Sequence, residues 1–165
     1  MRNRVGIVIN IFLLILMLTG INSCFKDTNS EKEELEIIDN YLRNNGIDTE
    51  PTASGLYYIE LIEGTGLQPV TGDTVEVFYE GYFLSGEVFI SNMNLDPHRF
   101  VIGAMAVIVG LEEGVTYMKE GGEAMLIVPS SLAYGPVGNY YLDIPGYTPL
   151  GFDIILDKVI PGLGR

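Results

Sequence analysis

From Leu56 onward the apolar residues recur at every second position, the spacing that turns one face of a strand into a core and the other to water. Tyr57-Tyr58-Ile59-Glu60-Leu61-Ile62 reads as a strand, closed by Glu63-Gly64-Thr65-Gly66. Residues 74–84 alternate most clearly: Val75, Val77 and Tyr79 point one way, Glu76 and Glu80 the other. Ser85-Gly86 turns the chain into a strand at 87–91, and 99–102 is a short strand ending at Gly103. Residues 123–128 form a buried strand stopped by Pro129, and 151–160 form the last, with Phe152, Ile154 and Leu156 inward. The rhythm breaks once, at 107–115, where Gly110-Leu111-Glu112-Glu113-Gly114 reads as a short helix bracketed by glycines. Antiparallel strands with one internal helix make an α+β domain.

Composition removes several functions. Acidic residues outnumber basic ones 22 to 9, for a net charge of -13. That balance argues against nucleic acid and against electrostatic binding to anionic membranes, both of which draw on Lys and Arg. With one His and one Cys, multi-ligand zinc sites, Cys-His nucleophile systems and disulfide frameworks are nearly excluded. No cofactor or metal is expected.

The N-terminus is an address. Arg2 and Arg4 precede residues 5–25, which carry no charge and contain Ile11-Phe12-Leu13-Leu14-Ile15-Leu16-Met17-Leu18. A basic start, an apolar middle and a small residue before the cut mark a secretory signal. Ile21-Asn22-Ser23-Cys24 resembles a bacterial lipoprotein box, with Asn22 where a small residue is usual. The resemblance implies cleavage before Cys24, acylation of Cys24, and a lipid-anchored domain in the cell envelope, at the outer membrane or periplasmic face. An uncleaved transmembrane anchor is the other reading of so long an uncharged stretch. Both put the domain outside the cytoplasm. With Cys24 consumed, the cysteine-free remainder suits an oxidising compartment. Residues 1–23 are thus the expected signal peptide, 24–54 an acidic stem, and 55–165 the functional domain.

In the stem, eight acids between residues 27 and 50 stand against Lys32 and Arg43, so partial mobility is expected. Ser30-Glu31-Lys32-Glu33 has capping-box spacing, Leu35, Ile38, Tyr41 and Leu42 form one stripe, and Gly46 is a natural stop. A short helix so placed is marginal alone. A spacer helix leaning on the domain is preferred to a dimerisation helix. Residues 51–55, Pro-Thr-Ala-Ser-Gly, read as the junction.

The order of several fragments then carries a resemblance. It begins with Val77-Phe78-Tyr79-Glu80-Gly81, Ser85-Gly86-Glu87-Val88-Phe89 and Phe100-Val101-Ile102-Gly103. It continues with Val107-Ile108-Val109-Gly110-Leu111-Glu112-Glu113-Gly114, Met118-Lys119-Glu120-Gly121-Gly122, Leu132-Ala133-Tyr134-Gly135, Ile144-Pro145 and Leu150-Gly151-Phe152-Asp153. In this order and spacing the chain resembles the FKBP-type peptidyl-prolyl cis-trans isomerases across the whole domain. The resemblance implies a twisted antiparallel sheet wrapped on the short helix, with an apolar pocket between them. It implies a pocket lined by Tyr79, Phe89, Val107, Ile108, Leu111, Tyr134, Ile144 and Phe152. Tyr79, Phe89 and Phe152 would be ring walls, Leu111 the floor, and the Ile108 N–H and Tyr134 hydroxyl donors to peptide carbonyls. Read without the family, each apolar residue among them is ordinary core.

Three positions depart from the family pattern. Ile90 stands where Asp is usual, Leu111 where Trp is frequent, and His98 where a first aromatic precedes Phe100. His98 is expected on an exposed loop after Asp96-Pro97. The aromatic loop at 136–147, with Tyr140, Tyr141 and Tyr147, suits either peptide contact or the roofing of a core. The resemblance implies an isomerase acting on proline-containing unfolded or partly folded polypeptides, assisting the folding of envelope proteins, and binding macrolide immunosuppressants weakly. The alternative is a catalytically weak peptide-binding or chaperone module of the same fold.

Overall fold

The computed structural model describes residues 22–163, with side-chain surroundings from Ser30 onward. The segment before Asn22, where the signal peptide is expected, and the Cys24 side chain lie outside the described residues. The chain divides into two units, Met1–Glu33 and Glu34–Arg165. The described part of the first is helical from Asn22.

Helix α1 (Asn22–Asn45) begins ahead of the expected cap, so Ser30 sits within it rather than at its N-terminus. No Gly or Pro lies between Asn22 and Asn29 to stop it short. Its end is as Gly46 predicts. Gly46 takes φ 66°, and the N–H groups of Ile47 and Gly46 donate to the carbonyls of Leu42 (2.9 Å) and Arg43 (3.2 Å), a Schellman closure. From Glu34 on, the helix lies against the sheet: Ile38 and Leu42 are buried on Ile127, with Tyr41, Tyr57, Ile59 and Met125 around them. The apolar stripe differs from expectation at one end. Leu35 is 61% exposed, and Glu34 holds the buried place beside it.

The strands are β1 (Tyr57–Ile62), β2 (Thr74–Phe83), β3 (Val88–Ser91), β4 (His98–Val101), β5 (Glu123–Val128) and β6 (Leu150–Ile160). They form one antiparallel sheet in the order β1-β5-β6-β2-β3, with β4 also paired to β2. β3 and β4 thus share one edge of the long β2, at Glu80–Tyr82 and Thr74–Val77 respectively. Helix α2 (Val109–Tyr117) packs on the sheet through Leu111 and Val115. Its approach is close because Gly110 and Gly114 face it: a Cβ at Gly114 would lie 2.4 Å from a methyl of Leu126.

The core between α2 and the sheet joins Leu56, Val75, Val77, Leu126, Val128, Leu150, Ile154 and Leu156, all essentially without solvent contact. Each such burial is worth roughly 1.5–3 kcal/mol over exposure. Asp73 is buried yet satisfied, accepting from the N–H groups of Val70 (3.0 Å) and Gly162 (2.9 Å). The result is the architecture expected from the sequence, an antiparallel sheet packed on one short helix.

Candidate functional site

The alternation of β2 and β6 carries Tyr79 and Phe152 to the same face of the sheet, and β3 adds Phe89. Phe152 is the hub of the rings. Its centroid lies 5.9 Å from Phe89, edge to face, and 6.3 Å from Tyr79. Such geometries suit the ring quadrupoles. Leu111, on the first turn of α2, joins the same lining.

These side chains enclose a cavity of about 200 Å³, lined by Tyr79, Phe89, Val107, Ile108, Leu111, Tyr134 and Phe152 together with Ile90, His98 and Ala106. Ile144 is not among the lining. It is buried in the core, and its N–H and carbonyl pair with Asn139 (2.9 and 2.8 Å) in an isolated bridge that pins the loop.

His98 corrects an expectation: it is not an exposed loop residue. It opens β4, partly buried, with its ring edge-on to Tyr79 at 6.0 Å and tilted on Phe100 at 5.8 Å. Pairing of His98 with Val77 in the β2–β4 ladder draws it in. An imidazole thus fills a place that the resemblance assigned to an aromatic ring.

Two of the lining residues carry hydrogen-bond donors, Ile108 on its backbone and Tyr134 on its ring. Ile108 is the N-cap of α2, with extended backbone (φ −61°, ψ 148°), and its carbonyl accepts from Leu111 and Glu112. Among the described residues its own N–H has no acceptor. Tyr134 follows a short 3₁₀ turn (Ser130–Leu132). Burial raises its phenol above the ordinary value, against a lowering hydrogen bond from the Asn139 side chain. Tyr79 is raised likewise, by burial first and by Tyr134 second. Both hydroxyls are therefore neutral donors at physiological pH.

Asn92 supports this arrangement without lining the small cavity, a role the sequence alone did not reveal. Its Oδ1 accepts from the Tyr79 N–H (2.6 Å), and its Nδ2 donates to the carbonyls of Val77 (3.1 Å) and Asp96 (3.3 Å). The loop between β3 and β4 is thereby fastened to β2. Over it runs an open groove of about 700 Å³, continuous with Tyr79 and His98 and bordered by Asn92, Leu95 and Asp96. On the 136–147 loop, Tyr140 and Tyr141 are 89% and 94% exposed, so they roof no core.

Residues 66–157 match the family model described as FKBP-type peptidyl-prolyl cis-trans isomerase. The chain is 42% identical over 132 residues to a probable FKBP-type isomerase, FkpA, of Neisseria meningitidis serogroup B, covering 79% of this chain and 46% of that one. It is 33% identical over 137 residues to FkpA of Escherichia coli K12, covering 81% and 47%. The chain spans about half the length of these curated relatives. Among solved structures, a peptidyl-prolyl isomerase of Pseudomonas syringae pv. tomato superposes with a TM-score of 0.70 at 30% identity, over 82% of this chain and 96% of that one. FkpA of Escherichia coli superposes with a TM-score of 0.70 at 27% identity, over 98% and 74%.

Proposed function

Because the chain belongs to the FKBP-type peptidyl-prolyl cis-trans isomerase family, we propose that it rotates Xaa-Pro bonds in unfolded or partly folded polypeptides. The carrying observation is the cavity walled by Tyr79, Phe89 and Phe152, with Ile108 and Tyr134 in its lining. Rotation about a peptide bond costs roughly 18–20 kcal/mol because it destroys amide resonance. Uncatalysed prolyl isomerisation takes tens to hundreds of seconds. The planar amide is the more dipolar form, and water stabilises it. A pocket of rings and aliphatic carbons withdraws that stabilisation and holds the twisted amide better than the planar one. Binding is thereby spent on the transition state.

Each side chain then has a part. Phe152, Tyr79 and Phe89 embrace the pyrrolidine ring, and Leu111 and Val107 close beneath it. The Ile108 N–H and Tyr134 hydroxyl donate to the carbonyls flanking proline, fixing one amide while the other turns. The groove over Asn92, Leu95 and Asp96 gives the rest of an extended chain somewhere to lie. Macrolide immunosuppressants would enter the same pocket weakly, since Leu111 offers less surface than an indole and Ile90 no carboxylate.

The test is a proline-limited refolding assay on residues 25–165. Tyr134→Phe keeps the ring and removes only the donor, so stability should change by about 1 kcal/mol or less. Catalysis should fall a few-fold. Ile90→Asp, on the cavity wall, should raise catalysis or macrolide affinity. A catalytically weak peptide-binding module is the second reading, favoured by Ile90 and His98 in the lining. On that reading turnover stays at background in every variant, while affinity for unfolded protein follows the apolar lining.

The proposal places the enzyme in the envelope as a lipoprotein, exported by a signal peptide at 1–23 and acylated on Cys24. The lone Cys after an uncharged stretch supports this. Cys24→Ser should release or misprocess the protein without altering domain folding, as membrane fractionation would read. Tight membrane retention of the Ser variant would favour an uncleaved anchor instead.

A further inference from the structure

We infer that Glu34 of helix α1 is a positioning residue for the site, holding through Ser130 the turn that presents Tyr134. Glu34 is 7% exposed, and both of its carboxylate oxygens are engaged by one residue. Oε1 accepts from the Ser130 N–H (2.5 Å) and Oε2 from the Ser130 hydroxyl (2.7 Å). The Ser130 carbonyl in turn accepts from the N–H groups of Ala133 (2.9 Å) and Gly135 (2.8 Å). Those two residues are the neighbours of Tyr134. A single carbonyl therefore clasps the chain on both sides of the cavity's hydroxyl donor, and a buried carboxylate clasps the residue that owns it.

The cost of the arrangement argues for its use. Burying a carboxylate is expensive unless it is fully hydrogen-bonded, and a plain spacer helix needs only the apolar contacts of Ile38 and Leu42. Glu34 also lies outside the segment 66–157 that matches the family model, so this support is an addition to the matched domain. It makes α1 part of the site's scaffold. Because the role is read through Tyr134, the inference rests on the isomerase reading.

The experiment compares four full-length proteins: wild type, Glu34→Ala, Glu34→Gln and Val159→Ala. Val159 is a core residue at the far end of β6 and serves as a control for stability alone. Glu34→Ala leaves the Ser130 donors without partners. It should lower kcat/KM for a proline-limited refolding substrate by roughly three- to thirty-fold, the reach of coupling through one bonded network. It should also speed amide exchange at Ala133 and Gly135. Glu34→Gln can still accept from the Ser130 N–H and donate to its hydroxyl oxygen, so it should restore most of both. Val159→Ala should leave kcat/KM unchanged despite its stability loss. Wild-type kcat/KM in Glu34→Ala, or an equal fall in Val159→Ala, overturns the inference. If wild type itself is inactive, the isomerase reading fails, and exchange at Ala133 and Gly135 alone then decides whether Glu34 positions the turn.

Discussion

Phe152→Ala is expected to reduce catalysed refolding to the uncatalysed rate and to cost roughly 3–5 kcal/mol of stability, the usual range for truncating a buried Phe. Both losses come from one ring. Phe152 is 3% exposed, is paired in the sheet with Gly81 and Leu126, and contacts the rings of Tyr79 and Phe89. Without it the two remaining rings lose their common support and the cavity floods. Denaturant unfolding gives the stability term, and the refolding assay in dilute buffer gives the other. Undiminished catalysis in a destabilised but folded variant would make Phe152 core alone.

Gly81→Ala should injure the site from the opposite direction. Gly81 sits on β2 between Phe152 on one neighbouring strand and Ile90 on the other. A Cβ there would lie 2.7 Å from the Phe152 ring, 2.8 Å from Ile90 and 2.8 Å from the Phe89 ring. Contacts so short force these side chains to shift, and all three line the cavity. Overpacking of this kind costs roughly 1–3 kcal/mol. Catalysis should fall by more than that stability loss explains, because the displaced atoms are the pocket walls. Equilibrium unfolding beside refolding kinetics measures the two effects separately. A variant as active as wild type would mean that the walls yield outward.

How legible was this molecule in its residues? Strand signals with an unambiguous punctuation mark were fully readable: Gly64 and Pro129 close β1 and β5 at the expected residues. The pocket walls were readable because period two determines which side of a strand a ring occupies, and the family resemblance told which of those sides mattered. His98 was misjudged because Asp96-Pro97 looks like the middle of a loop. Its place is set by pairing with Val77, a partner twenty-one residues away in sequence. Ile144 is buried in the core and bridged to Asn139, a pairing that no local pattern in the sequence displays. The start of α1 was set too late, because a capping-box pattern marks a permitted start and does not compel one. Glu34 was invisible as anything but another acid in an acidic stem. No local pattern announces that its carboxylate meets Ser130.

The strand order has a consequence in time. β6, last of the strands in sequence, lies between β5 and β2, pairing along nearly its whole length with β2 and through Leu150–Ile155 with β5. Until it arrives, β1 and β5 form an isolated pair, and β2, β3 and β4 form another cluster with an open edge. An isolated two-stranded pair is marginal in water. Pairings so distant along the chain also close slowly, because loop entropy must be met before contacts reward it. A ribosome that delivers this chain from its N-terminus therefore delivers a sheet in two separate pieces until residue 160 is clear. The domain then assembles in a single late step, and a chain cut anywhere within β6 should be a substrate for proteases rather than a partly active enzyme.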